Sequence, residues 1–130
     1  MNINDFLKDL CNKLEHFRLH DLIIAELLES MRMSGNEESF IARLVYLLDV
    51  LNLYGVMATK HKQFELLGNG VYSMRLKNGC YNIRILYMFA QDKSPVLLHA
   101  FYERAGHGKT DYTGKITLAR QRFTELKEEQ

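Results

Sequence analysis

The residues best suited to chemistry are cationic and lie in the second half of the chain. Arg75 and Arg84 flank Asn78-Gly79, a dipeptide whose two residues both tolerate the positive φ of a type I′ turn. With a two-residue loop at 78 and 79, Lys77 faces Cys80, Arg75 faces Asn82 and Ser73 faces Arg84. The two arginines then become diagonal neighbours on one exposed face of a hairpin. Arg104, at the far end of the next strand-like stretch, adds a third cation. Such a group suits phosphate, because a guanidinium stays charged and its planar fork grips two oxygens at once. The competing reading is that strand arginines only keep an open face soluble. Lys60, Lys62, Lys77 and Lys109 would extend the basic surface as RNA-binding side chains.

The histidines divide. His16 and His20 stand at i, i+4 on a predicted helix, but no third ligand accompanies them, so they are read as surface histidines and no metal site is expected. His99, between Leu98 and Ala100, reads as a hydrogen-bonded core residue, whereas His107, in a loop of Gly106, Gly108 and Lys109, is freer to act as an acid or base. No phosphate-binding loop, dinucleotide fingerprint, nucleophile elbow or Cys/His zinc spacing occurs, so no cofactor is expected. Cys11 and Cys80 match no Cys-x-x-Cys spacing and read as small thiols in a reducing cytoplasm.

Two kinds of element must position these residues. From Asp5 to Met33, and again from Phe40 to Leu51, apolar residues recur at helical spacing, the second stripe being Phe40, Ile41, Leu44, Leu48 and Leu51. Asp21 is expected to cap the helix that Gly35 ends, and Asn36 to cap the next, which stops near Gly55. After Lys60 the period becomes two. Val71 to Lys77 alternates with Tyr72, Met74 and Leu76 on one side, and Val96 to Tyr102 follows a turn at Asp92-Lys93-Ser94-Pro95. A last helix from about Tyr112 turns Ile116, Ala119, Phe123 and Leu126 inward. The pattern predicts one α+β domain over 1–130: helices to 55, an antiparallel sheet over 60–104, and a C-terminal helix over 111–128.

Composition agrees with a single globular core: 130 residues, 47% hydrophobic and 25% charged. The net charge of +1 hides an asymmetry, with five Lys/Arg against nine Asp/Glu in residues 1–59 and eleven against four in 60–122. No contiguous apolar run approaches the ~20 residues that span a bilayer, and no basic region opens the chain, so a cytoplasmic protein without a membrane is expected. The long apolar stripe of the acidic N-terminal helices points to a partner or to self-association.

Three stretches carry a resemblance when taken in order. Gly70-Val71-Tyr72-Ser73-Met74-Arg75, Tyr81-Asn82-Ile83-Arg84-Ile85-Leu86-Tyr87 and Leu97-Leu98-His99-Ala100-Phe101-Tyr102-Glu103-Arg104, with Ile116 and Ala119 in step behind them, resemble the phage-derived HigB-like branch of the RelE/ParE toxin superfamily over roughly residues 40–127. The resemblance implies a compact antiparallel sheet flanked by helices and an endoribonuclease that cuts mRNA in the ribosomal A site. A cognate antitoxin, expected to carry a helix-turn-helix, would hold it inactive. Cleavage would be metal-free, by attack of the ribose 2′-hydroxyl on the neighbouring phosphate. Residue by residue, Arg75 and Arg84 would hold the phosphate, Arg104 would stabilise charge or donate a proton, and Tyr112 or His107 would transfer protons. The chain departs from the family pattern at Ser73, where an acid is usual, and at Glu103, where a second lysine is common. It also has no proline before the last helix, no evident first strand, and some two dozen extra helical residues between Leu14 and Ser39. These departures leave two alternatives, a gyrase-directed inhibitor of the same fold and an inactive phage-derived binding protein.

Overall fold

The computed structural model describes residues 17–79, 81–103 and 112–128, with Asp5, Leu10 and Asn12 ahead of them. In chain order it contains β1 (Arg18–Leu19), α1 (Ile23–Ser34), α2 (Glu37–Tyr54), a 3₁₀ segment (Gly55–Lys60), β2 (Phe64–Gly68), β3 (Val71–Lys77), β4 (Asn82–Phe89), β5 (Pro95–Tyr102) and α3 (Thr113–Glu128). The sheet runs β1-β5-β4-β3-β2, with β1 parallel to β5 and every other pair antiparallel. This is the α+β order that the change of period predicts.

Both faces of the sheet are covered. Met74, Leu76, Ile83, Ile85 and Tyr87 meet Leu27, Met31, Phe40, Leu44, Leu48 and Leu51 from α1 and α2. On the other face Val71, Leu86, Val96 and Leu98 meet Ala119, with Ile116, Phe123 and Leu126 of α3 packed around them. The helix ends follow local chemistry. Gly35 closes α1 at φ 73, and the Asn36 side chain accepts the Ser39 N–H at 3.1 Å to open α2. Asp21 does not cap α1; His20 instead takes the Leu22 N–H on Nδ1 at 3.2 Å. Among the described residues one segment, Glu37–Lys60, is long and apolar enough to cross a bilayer, with a mean hydropathy of 1.6. Its interrupted apolar pattern hides this from a search for contiguous runs, and here its stripe packs against the sheet.

The β3–β4 hairpin differs from expectation in register. Arg75 pairs directly with Arg84, Leu76 with Ile83 and Lys77 with Asn82, a shift of two residues that moves the turn to lie between Asn78 and Tyr81, whose N–H and C=O bond at 3.0 Å. Tertiary contacts outweigh the local turn signal: the Asn78 side chain accepts the Tyr81 N–H at 3.2 Å and donates to Ser39 Oγ, which also bonds the Tyr81 hydroxyl. The dipeptide that does adopt positive φ is Asn69-Gly70, at 54° and 79°, joining β3 to a strand, β2, that the alternation did not reveal. Because β2 is an edge strand with Glu65 and Leu66 both exposed, it carries no clean period of two. Gly70→Ala should therefore cost about 1 kcal/mol, since a Cβ there must sit in the left-handed region. Urea melts of the two proteins check it, and equal midpoints would refute this turn.

Candidate functional site

The basic residues gather in two connected places. The first is a groove of about 440 Å³ lined by Arg43 from α2, Lys62 and Gln63 from the segment before β2, and Arg75 and Lys77 from β3. Four cations and an amide meet there, with no carboxylate among the described lining residues. Among the described residues, none of the four cations has a carboxylate oxygen within the 4.0 Å that defines an ion pair. Of the sequence candidates, Arg75, Lys62 and Lys77 are thus brought together. Lys60, exposed at the end of the 3₁₀ segment, is not in the lining. Arg43 and Gln63 join them without a motif to announce it, and Arg43 has only its place on the polar side of the α2 stripe to mark it.

The second place begins on the far side of Arg75. Arg75 Nε donates to Asn82 Oδ1 at 3.0 Å, and Asn82 Nδ2 donates to Glu103 Oε2 at 3.4 Å. The backbone supports this, the Glu103 N–H donating to Asn82 C=O at 2.8 Å. Glu103 Oε1 then accepts Arg84 Nε at 2.7 Å and the Tyr112 hydroxyl at 2.6 Å. Arg84 Nη1 donates to Ser73 Oγ at 2.9 Å, and its guanidinium lies 5.4 Å from the centre of the Tyr112 ring.

The position of Arg84 corrects the open-face reading. Its residue is only 7% exposed, because α3 and Tyr112 close over a face that an isolated hairpin would leave wet. Two like charges directly opposed across strands are unfavourable; Glu103 and Ser73 hold one, and Asn82 the other. Ser73 and Glu103, two of the departures from the pattern that the sequence resembles, thus form Arg84's binding site.

Arg104, His107 and Lys109 lie outside the described residues, as do His16, Cys11 and Cys80. His20 is not a surface histidine: it is buried, and its Nε2 contacts Glu125 at 2.9 Å. His99 is hydrogen-bonded in the core, with Nδ1 3.0 Å from Glu26 Oε1. The same carboxylate takes Arg122 Nη1 at 2.8 Å and the Ala100 N–H at 3.1 Å, where β1 has ended and the edge of β5 is open. Burial pushes the Glu26 pKa up, but the bonds from His99, Arg122 and Ala100 outweigh it and hold the group at about 2. Among the described residues no three His, Cys, Asp or Glu side chains gather as metal ligands.

No curated protein matches the chain. The sequence profile of the phage-derived Gp49-like proteins (DUF891) matches residues 32–124. That span takes in α1 from Arg32 onward, the whole of α2, the four antiparallel strands and most of α3, and with it both the groove and the Arg84–Glu103–Tyr112 network. The chain belongs to the phage-derived Gp49-like family.

Proposed function

We propose that this protein is the toxin of a type II toxin–antitoxin pair, an endoribonuclease that cuts ribosome-bound mRNA by 2′-hydroxyl attack without a metal. The observation that carries the reading is the basic groove, which runs into a network of arginine, carboxylate and phenol through the shared residue Arg75. Four cations in one groove suit a single-stranded phosphate backbone. In this reading Arg75 and the groove lysines hold phosphates, Lys60 and Lys109 extend the track, and Arg84 orients Tyr112 and Glu103 from beneath. Arg104 stabilises charge, and Tyr112 or His107 moves protons. Membership of a phage-derived family fits a toxin, and the exposed Tyr46, Leu53, Val56 and Met57 on and after α2 offer an apolar surface for an antitoxin.

The test is induction of the chain in cells followed by mapping of mRNA 5′ ends, beside the Lys62→Glu/Lys77→Glu variant. Wild type should create new 5′ ends within coding regions. The variant should melt like wild type, both side chains being exposed. Its binding to single-stranded RNA should weaken at least tenfold, with a salt slope shallower by about 1.4, because two phosphates are no longer neutralised. Absence of new ends would favour the alternative, a non-catalytic binder such as a gyrase-directed inhibitor, which draws its support from Arg84 being buried and already paired.

A further inference from the structure

The RNA-cleaving reading leaves open where a proton taken up by Tyr112 goes, and the contact between Tyr112 and Glu103 bears on it. A phenol donating to a carboxylate at 2.6 Å is a charge-assisted bond of the short kind, and it occurs where the strand array meets the start of α3. The carboxylate is fixed from three sides, by Arg84 of β4, by Asn82 of β4 and by Tyr112. Its side chain is 8% exposed, so a substrate hydroxyl reaches it less readily than it reaches the phenol. Arg84 beneath the ring and Arg75 beyond Asn82 supply the positive charge that faces this pair. The arrangement is that of a base acting through an intermediary, a carboxylate that can receive a proton and a hydroxyl that can pass one on.

Resting on the RNA-cleaving reading, we propose that Glu103 is the terminal proton acceptor of the reaction, acting through Tyr112. The ribose 2′-hydroxyl gives its proton to Tyr112 Oη as the Tyr112 proton moves to Glu103 Oε1. The 2′-oxygen forms its bond to phosphorus, the bond from phosphorus to the 5′-oxygen breaks, and the 5′-oxygen takes a proton from solvent. Glu103 then returns its proton to solvent, through Tyr112, leaving a 2′,3′-cyclic phosphate and a free 5′-hydroxyl. Glu103 acts only through Tyr112, which is the relay and the group that touches substrate.

The experiment measures cleavage of ribosome-bound mRNA against pH for wild type, Glu103→Gln, Tyr112→Phe and the double variant, with thermal melts of each. Wild-type activity should fall toward acid along a limb, as in any reaction that needs a free carboxylate to receive the proton. Glu103→Gln should fall about a hundredfold and lose that limb. Tyr112→Phe, which leaves the Arg84 ion pair intact, should fall as far without losing its melting temperature. The double variant should be no slower than the slower single, because one proton path can be cut only once. A Glu103→Gln protein that cuts as fast as wild type with the limb intact, or single losses that multiply in the double variant, overturns the relay while leaving RNA cleavage standing. A faster Glu103→Gln protein also overturns it and makes Glu103 a lock on Arg84. Wild type that releases no cyclic phosphate ends overturns the RNA-cleaving reading and the relay with it.

Discussion

Arg84→Ala should destabilise the protein by about 3 kcal/mol and reduce RNA cleavage by at least a hundredfold. Had Arg84 stood on an open strand face, its removal would have cost within ~0.5 kcal/mol. Instead its side chain is 9% exposed and pairs at 2.7 Å with a carboxylate that is 8% exposed. Removing one partner of a buried pair leaves the other charge uncompensated, which typically costs about 3–5 kcal/mol. Ser73 Oγ loses its donor and the Tyr112 ring its cation at the same time. Removing both charges, as in Arg84→Met/Glu103→Leu, should restore most of the stability and none of the cleavage, because an apolar pair leaves no orphaned charge. Arg84→Lys should fall between wild type and Arg84→Ala, since an ammonium cannot serve Glu103 and Ser73 together in the geometry of the fork. Denaturant melts and cleavage assays on the four proteins decide the matter. An Arg84→Ala protein that melts with wild type would mean that α3 does not close this face in solution.

The second large effect is on stability alone and depends on pH. Glu26 of α1 joins two distant elements, reaching His99 and Ala100 of β5 and Arg122 of α3, whose Nη1 also donates to the Leu98 carbonyl at 2.9 Å. Leu98 is the extra residue of the bulge between β4 and β5, so its carbonyl needs this donor. Glu26 titrates at about 2 instead of 4.5, so its folded pKa lies below its unfolded one. Its contribution is therefore complete above about 4.5 and disappears as the pH falls toward 2. A shift of this size corresponds to about 3 kcal/mol. Urea unfolding from pH 6 to pH 2 should show wild type losing that much more than Glu26→Gln, whose curve should be flatter. At pH 6 Glu26→Gln should already be less stable by a similar amount, because Arg122 is left buried without its counter-charge. Parallel curves for the two proteins would remove Glu26 from the account of how α3 is held to the sheet.

Sequence alone determined what depends on neighbours along the chain. Gly35 and Asn36 mark the boundary between α1 and α2 because a left-handed cap and a side-chain acceptor work within four residues. The change from a period near four to a period of two marks the helix-to-strand order. Alternation also puts Arg75 and Arg84 on one face correctly, and the stripe of α3 is legible in full. Alternation could not choose between hairpin registers two residues apart, since both keep every side chain on its own face. Asn78, Ser39 and Tyr81 chose, through bonds across 39 and 42 residues. Nor could it show that Arg84 is buried, because that depends on where α3 lands. Glu103 looks like a departure from the family pattern until the fold places it against Arg84 and Tyr112. Glu26 carries no local signal at all: its partners lie 73, 74 and 96 residues away. Local sequence sets caps, periods and faces because those are decided within a turn of helix or a pair of residues. Register, burial and ion pairing belong to tertiary structure, because each depends on what a distant segment brings to the same few ångströms.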